Sequence, residues 1–96
     1  MAQVVVASTA LAQLESLVRT HSLPADTKER FRRSLRALQE FPELGPALQG
    51  RWGGYRFVLG PWRWMLVVYR YDAAHDRVAI VTVQDARSSS SPTVER

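Results

Sequence analysis

The chain is predicted to be an α+β domain: two N-terminal antiparallel helices packed on a four-stranded, largely antiparallel sheet, in the order β-α-α-β-β-β. Three observations carry this. Residues Tyr55–Arg87 hold three β-rich runs, Tyr55–Leu59, Trp64–Tyr69 and Arg77–Val83, separated by Gly60-Pro61 and by Asp72–Asp76. Two stretches upstream repeat apolar residues at helical spacing, and a Gly/Pro-rich connector separates them from the strands. At 96 residues there is room for one core only.

Taken in order, Gln3–Ala7 is β-branched and reads as the first strand. Ser8 or Thr9 follows as a helix cap, and Leu11, Leu14, Leu17 and Val18 form one apolar stripe that ends near His21-Ser22, ahead of Pro24. Asp26 and Glu29 have the spacing of a capping box and open a second helix over Asp26–Glu40, with Phe31, Leu35 and Leu38 inward. Its other faces carry Lys28, Arg30, Arg32, Arg33 and Arg36, a basic surface read as solvated or as a contact for nucleic acid or an acidic partner. Phe41–Gly54 is turn-rich. If Gly60-Pro61 makes a two-residue hairpin loop, Val58 pairs with Arg63 and Arg56 lies across from Met65; a loop over Gly60–Arg63 instead makes Arg63 a loop residue. Trp62, Trp64, Leu66 and Val68 then alternate on one face as core. Residues 1–87 form the domain, and Ser88–Arg96 reads as a flexible tail.

Composition excludes several classes. There is no cysteine, so no disulfide framework or thiolate metal site exists, and a reducing cytoplasm suits the chain. Val4–Ala7 is too short for a signal h-region and Trp64–Tyr69 too short to span a bilayer, so a cytoplasmic, non-membrane protein is expected. His21 and His75 are isolated in sequence, which argues against a metal or other cofactor, and the glycines do not make a P-loop. The net charge is +4, and Lys28 is the one lysine among 13 basic residues. That balance suits a phosphate-rich or acidic partner.

The order and the punctuation together resemble the RelE/ParE superfamily, the toxin halves of bacterial type II toxin–antitoxin pairs. The resemblance runs through Leu38, Phe41-Pro42, Gly45, Leu48 and Gly50, then Tyr55-Arg56, Gly60, Arg63, Tyr69, and finally Val78, Asp85 and Arg87. It implies a cognate antitoxin as partner. It also implies one of three modes of action: ribosome-linked, metal-independent mRNA cleavage; inhibition of DNA gyrase by binding; or partner binding by a catalytically degenerate fold.

Cleavage of RNA without a metal needs a group to take the 2′-hydroxyl proton, cations on the developing charge and a donor for the leaving oxygen. The resemblance assigns Arg56, Arg63 and Arg87 to the phosphate, and the two-residue hairpin would bring Arg56 and Arg63 to one face. Asp85 shares a face with Arg87 at i,i+2 and reads as its neutralising partner or, second, as a base. Lys28, Arg32, Arg33 and Arg36 are the candidate RNA- or partner-binding residues. Two features depart from the ribonuclease pattern: Val58 stands where a second basic residue is common, and no tyrosine or histidine follows Arg87.

Overall fold

The computed structural model describes residues 1–87, so the tail expected over 88–96 lies outside the described residues. The elements are β1 (Gln3–Val6), α1 (Ser8–Thr20), α2 (Thr27–Ser34), α3 (Ala37–Glu40), β2 (Arg56–Leu59), β3 (Met65–Asp72) and β4 (Arg77–Asp85). The sheet order is β1-β4-β3-β2, with β1 parallel to β4 and the other pairs antiparallel. This is the predicted α+β architecture.

Neither predicted helix cap forms. The chain runs from β1 into α1 without a turn, because the Ala7 N–H donates to the Ile80 carbonyl at 2.9 Å and extends the β1–β4 ladder to the helix cap position. No side chain is then needed to hold the start. At α2 the Asp26 carboxylate takes the Arg30 guanidinium at 2.9 Å instead of a backbone N–H, and the buried Thr27 hydroxyl donates to the Pro24 carbonyl at 2.6 Å. The second helix is also not continuous to Glu40. It tightens at Leu35-Arg36, where N–H groups bond three residues back, and resumes as the single turn of α3.

α1 and α2 cover one face of the sheet. Leu14, Phe31, Leu35 and Leu38 meet Met65, Val67, Tyr69, Val78, Ile80 and Val83 in the main core. The opposite face has a smaller core, in which Leu48 of the connector covers Leu66 and Val68, with Trp52, Tyr55, Phe57 and Val81 around them. β3 is thus buried on both sides, which explains its unbroken apolar run. Trp62 and Trp64 pack against the helix-side core while Leu66 and Val68 lie on the other face. The expected alternation of these four residues on one face therefore does not hold.

The connector closes the β2 edge. Ala47 bridges Arg56, the Leu48 N–H reaches the Tyr55 carbonyl at 2.9 Å, and the Phe57 N–H reaches the Pro46 carbonyl at 3.2 Å. Gly45 approaches so closely that a Cβ there would stand 2.0 Å from the Phe57 carbonyl oxygen. On the far side, β1 ends at Val6, and the Gln13 side chain takes over beyond it. Its Oε1 accepts from the Val83 N–H at 2.9 Å and the Thr82 hydroxyl at 2.7 Å. Edge groups that lack a strand partner are thereby satisfied.

Candidate functional site

The β2–β3 pairing sets the positions of the predicted arginines. Arg56 pairs with Tyr69 and Leu59 with Leu66, and the Gly60 N–H closes the turn on the Met65 carbonyl at 2.9 Å. The loop therefore runs over 61–64. It is held open by Trp62, which packs under the Arg30 guanidinium at 5.5 Å, and by Trp64, which packs on α1's end. Arg63 is an exposed residue of this loop, not a strand residue. The predicted face shared by Arg56 and Arg63 is not formed.

Arg56 is bound to the connector. Its guanidinium donates to the Gly45 carbonyl at 2.8 Å and the Glu43 carbonyl at 3.4 Å, and meets the Glu43 carboxylate at 3.3 Å. Beside it the Gly45 N–H donates to the buried Tyr69 hydroxyl at 3.0 Å. Burial raises the Tyr69 pKa, opposed by that Gly45 hydrogen bond. Arg56 and Tyr69 thus fasten the connector to the sheet.

At the other end of β3, Met65 pairs with Asp85. Four residues of strand separate this end from Tyr69, about 13 Å. Here α1, the β2–β3 loop and the end of β4 converge. Asp85 accepts from Arg87 Nε, Nη2 and backbone N–H, each at 2.9 Å. Asp85 Oδ2, which accepts from Nη2, also lies 3.4 Å from His21 Nε2. The His21 ring stacks on the Trp64 indole with centroids 4.5 Å apart and planes 19° apart, and the Arg87 guanidinium sits 5.2 Å from the same indole. Arg87 above all, and His21 after it, pull the Asp85 pKa down to about 2. The same pairing raises the pKa of Arg87.

The structure therefore brings Asp85 and Arg87 together, as their spacing predicted, with Arg63 in the loop that carries Trp64. It leaves Arg56 at the opposite end. His21 and Trp64 belong to this cluster and were not singled out by sequence. His21 lies far from Asp85 along the chain, and Trp64 looked like a strand residue. Chemically, the cluster offers a guanidinium for a phosphate and an imidazole, both held against one indole.

On α2, Lys28 pairs with Glu15 at 2.8 Å and Arg33 with Glu29 at 3.4 Å. Arg32 and Arg36 instead line a groove of about 230 Å³ with Val4, Val6, Leu35 and Gln39, beside the β1 edge. Among the described residues no group of three or more His, Asp or Glu is placed to hold a metal, and no helix is long and apolar enough to cross a membrane.

The architecture is that of a small α+β domain with helices on one face of a mixed four-stranded sheet, and its fold has a solved counterpart. The chain is similar to a chain in the crystal structure of the toxin–antitoxin complex RelBE2 from Mycobacterium tuberculosis. The TM-score is 0.65 at 22% sequence identity, over 88% of this chain and 96% of that one. No protein-family model matches the sequence, and no curated protein matches it.

Proposed function

We propose that this chain is the toxin of a type II toxin–antitoxin pair and that it cleaves mRNA on the ribosome at the Arg87 end of the sheet. The observation that supports it most is the fold shared with a RelBE2 chain across nearly the whole domain. The site supports the chemistry: Arg87 is exposed enough to exchange Asp85 for a phosphate, and Arg63 is exposed in the adjoining loop with no ion-pair partner among the described residues. No step needs a metal. An acidic antitoxin segment would cover the groove flanked by Arg32 and Arg36 and neutralise the helix surface that also carries Lys28 and Arg33.

Induced expression in a bacterial host, with mRNA 5′ ends mapped on translating ribosomes, tests this. Growth arrest with new cuts at ribosome-bound codons is expected. Arrest with intact mRNA and a DNA-damage response would move the reading to gyrase, contacted through Lys28, Arg32, Arg33 and Arg36. Soluble expression without arrest would leave a fold that binds a partner only.

A further inference from the structure

We propose that His21, at the C-terminal end of α1, takes the 2′-hydroxyl proton during RNA cleavage. The assignment rests on the ribonuclease reading above and names the base that reading lacks. The alternatives at this end of the sheet are poor. Arginine stays protonated. Asp85 is held by Arg87 in the resting site and its side chain is only 21% exposed, so it gives a substrate hydroxyl little access. The other candidates are distant: Tyr69 is buried against Gly45, Tyr71 donates to Asp76, and His75 pairs with Asp72 in the β3–β4 turn, at the opposite end of both strands.

His21 has the geometry of an oriented base. His21 Nε2 lies 3.4 Å from the Asp85 carboxylate, which only accepts; in the neutral ring that turns its N–H to Asp85, the lone pair falls on Nδ1. Nδ1 lies 3.0 Å from the exposed Thr20 hydroxyl, which also reaches the Leu17 carbonyl at 3.5 Å, and a substrate hydroxyl can take that place beside Nδ1. The Trp64 indole fixes the plane of the imidazole and also meets Arg87, so base and guanidinium are held on one platform. The groups facing the ring are Asp85 and Arg87 at the end of β4, Trp64 from the loop and Thr20 from its own helix.

The step balances without a co-reactant. The 2′-O–H proton moves to Nδ1, the 2′-oxygen bonds to phosphorus, and the P–O5′ bond breaks. The strand ends left are a 2′,3′-cyclic phosphate and a 5′-hydroxyl, the latter protonated by water or by the imidazolium. As Arg87 turns from Asp85 to the phosphate, Asp85 is left facing the newly charged imidazolium. One carboxylate thus serves two cations in succession.

The test uses the full chain on ribosomes stalled on a defined mRNA, with single-turnover cleavage measured across pH. His21→Gln is expected to lower the rate by about 10²-fold or more, with ribosome binding and thermal midpoint retained. Wild-type cleavage should fall on the acid side. That limb should vanish in H21Q, and free imidazole should restore part of the rate to His21→Ala. Cleavage by H21Q within about threefold of wild type overturns the assignment and leaves the ribonuclease reading standing. So does a wild-type profile with no acid limb, which needs no folded variant. Absence of any cut by wild type overturns the ribonuclease reading itself, and this assignment with it.

Discussion

Arg56, beside Tyr69 of β3, and Arg87, beyond the Met65 end of the same strand, sit in two sites built in opposite ways. Arg56 is two-thirds covered and donates to two backbone carbonyls, so its charge is spent on holding the connector against the sheet. Arg87 is 63% exposed, and its one ion-pair partner among the described residues, Asp85, is shared with His21. A guanidinium fastened to carbonyls cannot leave without orphaning them. An exposed guanidinium on a shared carboxylate can exchange partners without leaving that carboxylate alone, because His21 stays beside it. The first is structural. The second is available for chemistry.

Substitutions at the two ends test that contrast. Arg87→Ala should give the largest effect: cleavage falls by about 10²–10³-fold while the thermal midpoint hardly moves, measured by single-turnover assay and by melting. A lower midpoint with cleavage intact would invert the comparison. Arg56→Ala should do the reverse, destabilising the fold by about 1–3 kcal/mol and speeding exchange of the Gly45 amide, read by denaturation and hydrogen exchange. If its cleavage per folded molecule drops as far as that of R87A, the connector end belongs to the site as well. The smallest effect concerns pH. Asp85 titrates below its ordinary range when folded, so its contribution to stability is complete above about pH 4 and is lost as pH falls toward 2. Acid titration of Asp85→Asn should lack that component.

Local patterns made most of the fold readable. The β-branched runs gave the strands, the apolar stripe with Leu14 gave α1, and the i,i+2 spacing gave the Asp85–Arg87 pair. The hairpin loop stayed open between two and four residues because its length is not decided locally. Gly60-Pro61 suits a two-residue turn, but Trp62 and Trp64 find their packing on Arg30 and His21, and that spreads the loop over 61–64. Arg63 leaves the strand as a result. The capping box failed for a related reason, since Arg30 at i+4 competes for Asp26 and wins. His21 looked isolated because its partner comes from the last strand, and no spacing rule reaches that far.

The parallel pairing of β1 with β4 has a consequence for synthesis. Gln3 pairs with Arg77 and Val6 with Ile80, so the first strand made must wait for the last strand before it has a neighbour. Such long-range closure is slow and comes late in folding. The His21–Trp64–Asp85–Arg87 cluster needs the same event, because β4 delivers Asp85 and leads into Arg87. A nascent chain still short of β4 therefore carries its arginines without the site that would use them. The cluster is absent until the sheet is complete.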